Sequence, residues 1–507
     1  MYIPLVNSIY RWLSFRSSKR ILQSAENPFD TQKQVLFSLL ERARKTQFGK
    51  QYGFGNITTI RQFQERVPIR DYEKLKPFID RMRAGERNVL WPSETRWFAK
   101  SSGTTDSKSK FIPVSNQGLR ENHFRAGRDM FTYFTKECPD TEIFKGKCLT
   151  LGGSHQIDHI GGDQAVGDLS AILIENMPAW SNFYRTPSRE IVLIADFEEK
   201  LEKMIAEVVN ENVTCFAGAP SWNLVMIKRI LEVTGKDTLL DVWPNLELFI
   251  HGGVSFSPYR EQYHKVIPSS SMRYMETYNA SEGFFAFQDD LSRNDMMLLL
   301  DHGIFFEFVP MEELDRDTPK AYTVAEIEPG KNYAIVISTN SGLWRYMVGD
   351  TVIFTSTFPH RVKISGRTRH FINAFGEEVI VENADAAIKA ACEKTGALVR
   401  EYTAGPIFMT DTTKGAHEWL VEFETAPVDL ELFVTVLDEK LCSVNSDYEA
   451  KRFKGITLDR PVVHILKEGV FYRWLHSKGK LGGQNKIPRL FNSRDYVNEL
   501  LDLNESM

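Results

Sequence analysis

No stretch of the 507-residue chain reaches 18 consecutive apolar residues, so no membrane-spanning helix is expected. The start, MYIPLVNSIYRWLSF, has no basic segment ahead of its apolar part and is broken by Arg11, so it does not read as a signal peptide. No two of the five cysteines (Cys138, Cys148, Cys215, Cys392, Cys442) form a C-x-x-C pair. Their odd number and wide spacing predict reduced thiols in a cytoplasmic protein. A basic excess is also missing. With 62 Lys and Arg against 67 Asp and Glu, the net charge is −5, which argues against a dedicated nucleic-acid binder. There is no internal repeat, no low-complexity segment and no G-x-S-x-G elbow, so a serine hydrolase of the usual α/β type is disfavoured.

What remains is ordinary globular usage, 42% apolar and 25% charged, in a chain long enough for at least two domains. The charge is uneven. Residues 1–50 carry nine Lys and Arg against three Asp and Glu, a basic start that reads as a solvated helical cover. Residues 31–48 have the apolar stripe of a helix, with Asp30 as its cap and Gly49 as its stop. The middle of the chain alternates. Ile191–Ala195 reads as a strand, Asp196 caps a helix, Val213–Phe216 is a strand, and a helix follows Pro220 and stops at Gly235. Leu246–Ile250 is a strand ending in Gly252-Gly253, and Arg273–Thr277 is another. Such β-α-β-α-β order predicts a parallel sheet covered by helices, with ligands at the carboxyl ends of its strands. From about residue 300 to 356 the pattern changes to short strands and turns. The expected fold class is α/β. A large N-terminal domain over 1–362 would hold mixed or parallel sheets covered by helices plus a small β-barrel-like part. A smaller α+β domain would occupy 363–507.

Four segments carry chemistry. The first, Ser101-Ser102-Gly103-Thr104-Thr105, with Lys110 beyond it, offers hydroxyls, backbone N–H groups and a cation to phosphate oxygens. It lacks the spacing of a Walker A loop. The second, Thr277-Tyr278-Asn279-Ala280-Ser281-Glu282-Gly283, follows a strand. Its single carboxylate, Glu282, suits Mg²⁺, and Tyr278 can stack on a base. The third runs from Trp344 to Asp350, where a carboxylate can accept two ribose hydroxyls. The fourth, from Gly366-Arg367 to Gly376-Glu377-Glu378-Val379, sits at the expected domain boundary. Each of these, taken alone, is equally an ordinary polar turn.

Taken in order, the four resemble the motifs of the adenylate-forming superfamily of acyl-CoA synthetases and luciferases. Within it, the chain is similar to the acyl-acid amido synthetases that conjugate plant auxin or jasmonate to amino acids, and to their bacterial relatives. The plant phosphate loop usually continues with a Gly pair where this chain has Asp106-Ser107. The resemblance implies a mobile C-terminal domain with Arg369 as its hinge, and an active-site lysine, Lys486, in Gln484-Asn485-Lys486-Ile487-Pro488-Arg489. It implies ATP and Mg²⁺ as cofactors and a two-step reaction: a carboxylic acid is adenylated, then an amino acid amine displaces AMP to give an amide. In that scheme Ser101, Ser102, Gly103, Thr104, Thr105, Lys110, Gly252, Gly253, Thr277, Tyr278, Asp350 and Arg367 bind nucleotide. Glu282 holds Mg²⁺, and Lys486 and Glu282 are catalytic. The expected partners are a small acid and an amino acid, met by a cytoplasmic monomer.

Other candidates are weaker. Arg125 and Arg128 can pair with an acid carboxylate, although a solvated helix face is the commoner reading. His155 and His159 have metal-like spacing but lie in a Gly-rich stretch. His251 reads as a satisfied histidine at a strand end. Two rival functions stand beside the main one: an acyl-CoA synthetase using the same adenylate, and a non-catalytic protein that binds nucleotide and acid.

Overall fold

The computed structural model describes residues 17–507 except 105–106, 151–156, 193, 195–196, 254–255, 257–258, 315, 317, 369–370, 411–412, 454–456 and 479–488. The strands up to residue 367 are, in chain order, β1 (Trp97–Thr104), β2 (Ser107–Val114), β3 (Lys147–Thr150), β4 (Asp158–Gly161), β5 (Gln164–Gly167), β6 (Arg185–Thr186), β7 (Val213–Gly218), β8 (Leu248–Gly252), β9 (Arg273–Ala280), β10 (Gly283–Phe287), β11 (Met296–Leu298), β12 (Ile304–Pro310), β13 (Asn332–Thr339), β14 (Tyr346–Thr357) and β15 (His360–Arg367). Eleven of them form one sheet, in the order β12-β13-β14-β15-β11-β10-β9-β8-β7-β3-β6. From β6 to β9 neighbouring strands are parallel; from β9 to β12 they are antiparallel. The helices Phe197–Val208, Pro220–Thr234 and Arg260–Val266 connect the parallel strands. The glycine stop is realised: Gly235 caps its helix in the left-handed conformation that glycine adopts without cost.

Three expectations change. The antiparallel strands do not close a barrel of their own. β11 pairs with β10 on one side and β15 on the other, so the ladder continues unbroken from the parallel half. The tight hairpin between β9 and β10 reverses the chain and extends one sheet instead of starting a second. Ile191 and Val192 are helical, in the single turn Arg189–Val192, not part of a strand. The Glu207 carboxylate accepts from the Ser188 N–H and hydroxyl, and so anchors the turn's first residues. Near the start, Pro28 opens the helix Pro28–Ala43 three residues early, because proline suits a first helical position and its missing N–H is not needed there. Thr46 then caps a second short helix, Gln47–Gln51, that contains Gly49. A Cβ at Gly49 would lie 2.1 Å from the Ala43 carbonyl oxygen, so only glycine permits this fold-back.

β1 and β2 form a hairpin that belongs to a separate four-stranded sheet with β5 and β4. Beyond β15 the described elements build a smaller unit. β16 (Phe371–Ile372) pairs with β17 (Val379–Ile380), and β18 (Leu398–Ile407), β19 (Ala416–Thr425) and β20 (Val462–Leu466) form a three-stranded sheet. The helices Val381–Thr395 and Leu430–Val444 pack on this sheet. One hydrophobic cluster runs through both parts, joining Phe216, Phe249 and Tyr263 of the large sheet's cover to Phe375, Tyr402 and Trp419. Tyr259 donates from its hydroxyl to the Ala374 carbonyl at 2.8 Å, and Gln262 donates to the Met409 carbonyl at 2.7 Å. Among the described residues no helix is long and apolar enough to cross a membrane.

The N-terminal helices cover the antiparallel half. Trp344 is fully buried among Phe48, Phe54, Phe63 and Trp91 and donates from its indole N–H to the Leu90 carbonyl. Its neighbour Arg345 is also buried. It makes two parallel bonds of 2.9 and 2.8 Å to the Glu307 carboxylate, and donates to the carbonyls of Gln64 and Val67. Removing one partner of a buried ion pair strands the other charge. Arg345→Ala is therefore expected to cost about 3–5 kcal/mol in urea unfolding, and Arg345→Met with Glu307→Leu clearly less.

Candidate active site

The site lies where the sheet changes from parallel to antiparallel, a switch in strand order that leaves a crevice at strand ends. β9 is the shared strand. On its parallel side β8 ends in Gly252, paired with Thr277. A Cβ at Gly252 would lie 2.4 Å from the Thr277 carbonyl oxygen, closer than any real contact, so the two strand ends meet only because residue 252 has no side chain. The Thr277 hydroxyl donates to the His251 carbonyl at 3.1 Å and is committed to this junction. Gly253 follows with φ of 81° and turns the chain away from the strand.

On the antiparallel side, the Tyr278 hydroxyl donates to Asp350 Oδ2 at 2.6 Å. This bond joins β9 to β14 across the sheet. Asp350 is the cross-strand partner of Arg367, and the Thr368 N–H donates to the Gly349 carbonyl at 2.8 Å. Arg345, five residues before Asp350, is turned into the core and takes no part in the site.

The hairpin of β1 and β2 brings the hydroxyl-rich segment to the same place. Its register pairs Ser101 with Lys110, Ser102 with Ser109 and Thr104 with Ser107, with Gly103 within the strand. Tyr72 steadies the far side of the hairpin by accepting from the Phe111 N–H. The fourth segment reaches the site from the smaller unit. Asn373 donates to the Gly253 carbonyl at 3.4 Å, and the Glu377 carboxylate accepts from the N–H groups of Ala374 and Phe375 and bonds His417. These bonds fix the turn in which Glu378 sits at φ of 41°.

Glu282, at the β9–β10 turn, is where the segments converge electrostatically. Burial pushes its carboxyl up to about 7. Lys110 and a backbone N–H pull the other way, while Asp350 and Glu378 add repulsion. Three carboxylates and one lysine thus act on one another electrostatically, and the excess of negative charge suits a divalent cation. Among the described residues no three His, Cys, Asp or Glu side chains are grouped closely enough to cage a metal ion. That fits Mg²⁺, which takes one or two protein carboxylates and completes its shell with phosphate oxygens and water.

A cleft of about 660 Å³ extends along the same sheet face, lined by His251, Phe256, Arg260, Tyr274, Glu276 and Gln288 among others. Glu276 is two residues before Tyr278 on β9 and so faces the same side. Phe256 stacks on both His251 and Tyr274, at ring separations of 4.4 and 5.1 Å. Burial and the nearby Arg260 lower the His251 ring to about 3, and its Nδ1 has no partner among the described residues. The strand-end histidine is therefore not satisfied as expected. The cleft it lines is a feature that sequence reasoning missed, and the only signal was the position of His251 before Gly252-Gly253.

Other candidates fall elsewhere. Arg125 donates to the Asp301 carbonyl at 2.7 Å and pairs with the Asp301 carboxylate, so the protein itself occupies it. Arg128 lies 3.9 Å from Asp129. His159 is exposed on β4. Lys486, Thr105, Arg369 and His155 lie outside the described residues.

With this geometry in view, residues 17–272 match the GH3 family N-terminal domain, 297–367 its central domain and 382–495 its C-terminal domain. The chain belongs to the GH3 family. Among GH3 relatives, indole-3-acetic acid-amido synthetase GH3.3 of Arabidopsis thaliana is 22% identical, over 93% of this chain and 90% of that protein. The 4-substituted benzoates-glutamate ligase GH3.12 of the same plant is also 22% identical, over 85% and 87%. The solved AtGH3.15 acyl acid amido synthetase in complex with 2,4-DB shares the fold at a TM-score of 0.63 and 16% identity, over 99% of this chain and 97% of that one.

The raised Glu282 carboxyl gives a test with a definite sign. The folded protein keeps a proton that the unfolded chain releases between its ordinary 4.5 and about 7, so Glu282 destabilises the ligand-free fold increasingly across that window. Glu282→Gln removes the cost. It is expected to raise the melting temperature at about pH 8 and to change it little at about pH 4. An equal shift at both pH values would contradict the assignment.

Proposed function

We propose that this GH3 chain is an acyl-acid amido synthetase that activates a carboxylic acid with ATP and passes the acyl group to an amino acid. The carrying observation is that Lys110, Asp350 and Glu378, one from each of the other chemistry-bearing segments, all act electrostatically on Glu282, while the Tyr278–Asp350 and Asn373–Gly253 bonds tie three of the segments together. A binding-only protein has no need of a buried, charge-repelled carboxylate beside a phosphate-type hairpin.

In the first step an oxygen of the acid carboxylate attacks the α-phosphorus of ATP. The bond from that phosphorus to the bridging oxygen breaks, and pyrophosphate leaves. Such transfers depend on positioning and charge neutralisation rather than on a protein nucleophile. We assign phosphate contacts to the β1–β2 hairpin through Ser101, Ser102, Gly103, Thr104, Thr105 and Lys110. Glu282 would hold Mg²⁺, which when bound withdraws charge from the phosphate oxygens. Asp350, tied by Tyr278, would orient ribose hydroxyls, with Arg367 its cross-strand partner on β15. Gly252, Gly253, Thr277 and the Tyr278 ring form the wall for the base, and the adjoining cleft can take its polar edge. Lys486 would offset charge on the α-phosphate.

In the second step the amine nitrogen attacks the acyl carbon, the bond to AMP oxygen breaks, and the nitrogen loses a proton. An amine rather than a thiol acceptor is supported by the relatives, whose names are those of amido synthetases and a glutamate ligase. Aryl and indolyl acids are the first substrates to try on the same ground. We place the division between the two units near residue 363, where β15 ends the large sheet. Five unpaired cysteines support a cytoplasmic location.

Acid-dependent exchange of labelled pyrophosphate into ATP tests the first step. Exchange with at least one aryl or indolyl acid is expected, and none with any acid would overturn the reading. Adding amino acids should then give amide, whereas thioester with coenzyme A alone would favour the synthetase of the other kind. Glu282→Ala and Lys486→Ala are each expected to lower exchange at least about tenfold, or roughly 1.4 kcal/mol of transition-state stabilisation.

A further inference from the structure

Glu282 sits in a four-residue turn between β9 and β10, and a turn of that kind has no intrinsic rigidity. Its flanking residues, Asn279 and Phe284, are cross-strand partners. Both are held from outside the hairpin by two consecutive residues of one helix. Asn122 makes a two-way amide bond to Phe284, accepting from its N–H at 2.7 Å and donating to its carbonyl at 3.1 Å. It also donates to the His302 carbonyl at 3.0 Å. The next residue, His123, bonds the Asn279 side-chain oxygen through Nδ1 at 3.1 Å. Both Asn122 and His123 are buried, and burial lowers the His123 ring to about 4, so it is a neutral donor.

Two adjacent residues of an ordinary helix point about 100° apart and would not grip one hairpin together. Here the helix is not ordinary. Gly118–His123 is a π-helical turn, closed by the Phe124 N–H donating to the Leu119 carbonyl. The wider turn brings consecutive side chains closer to one face, and such turns cost regular helical bonding. The turn is seated by Ser115, whose hydroxyl donates to the Asn340 carbonyl at 2.6 Å, and by Gly118. A Cβ at Gly118 would lie 2.3 Å from the Ser341 hydroxyl. At the other end, a Cβ at Gly283 would lie 3.3 Å from Asn122 Oδ1 and 2.5 Å from Ile304, so the loop is shaped to receive the clamp.

We propose that Asn122 and His123 are positioning residues that clamp the two sides of the Glu282 turn and hold its carboxylate at the metal–phosphate position. The inference rests on the reading of Glu282 given above. It assigns a reason for the π-helical turn. Neither residue touches the reacting atoms.

The test uses the full chain. Amide hydrogen exchange over residues 279–284 is measured without ligand, and binding of ATP is measured calorimetrically with and without Mg²⁺. Asn122→Ala and His123→Ala are each expected to speed exchange in this segment at least tenfold. They should weaken binding of Mg²⁺·ATP at least fivefold and change metal-free ATP less than twofold. His123→Asn, which puts an amide N–H where Nδ1 was, should restore both within twofold. Met130→Ala, a buried position on the same helix with no bond to the loop, controls for simple loss of packing. It should lower thermal stability and leave both readouts unchanged. Unaltered exchange in folded His123→Ala, or equal effects from Met130→Ala, would overturn the clamp. Glu282→Gln separates the two readings. If it leaves Mg²⁺·ATP affinity unchanged, the metal role of Glu282 fails, and the clamp is then decided by hydrogen exchange alone.

Discussion

The hydrogen bond from Tyr278 to Asp350 spans the place where a parallel sheet becomes antiparallel, and the site depends on it. β9 alone belongs to both halves. Its parallel neighbour delivers a glycine strand end, and its antiparallel side delivers the Glu282 turn. A bond across the sheet fixes the Asp350 carboxylate relative to both. The other parts gather around this one strand: the hairpin of β1 and β2, the cleft along the face that carries Tyr278, and the Glu378 turn that arrives from the smaller unit.

Charge shapes the site as much as topology does. The cleft collects carboxylates in a protein that is already acidic overall, and elsewhere the fold neutralises such groups. Asp129 and Asp301 are met by Arg20 and Arg125, and Glu121 by Arg42. The basic excess of the first fifty residues thus has a partial explanation, since Arg20 and Arg42 are partners to acidic groups on and beside the helix Phe124–Glu137. At Glu282 burial outweighs the nearby lysine, which is what a site for a cation needs.

The four chemistry-bearing segments and the order of strands were legible because each announces itself within about ten residues of sequence. Gly235, Pro220 and the apolar runs of β7 and β8 are local signals of that kind. The turn at Ile191 was misread because its apolar run has strand length, and the carboxylate that holds Ser188 at its start, Glu207, lies 19 residues beyond Ser188. Arg345 looked like part of a nucleotide motif, whereas its partner Glu307 buries it in the core; the two are 38 residues apart. Asn122 and His123 lie more than 150 residues from the loop they hold, and amides and imidazoles are too common for one sequence to single out. Partnerships across that distance are decided by packing, which no local pattern reports.

The contact between Gly252 and the Thr277 carbonyl bears on how such a protein can diversify. A residue with any side chain at 252 would pry β8 from β9 and move the base wall and the Glu282 turn together, so this point is closed to drift. The rim of the cleft is less constrained: Arg260, Arg293 and Asn294 line it from exposed positions. Substitution is therefore expected to be tolerated at the rim of the cleft and not at the strand junction beside it.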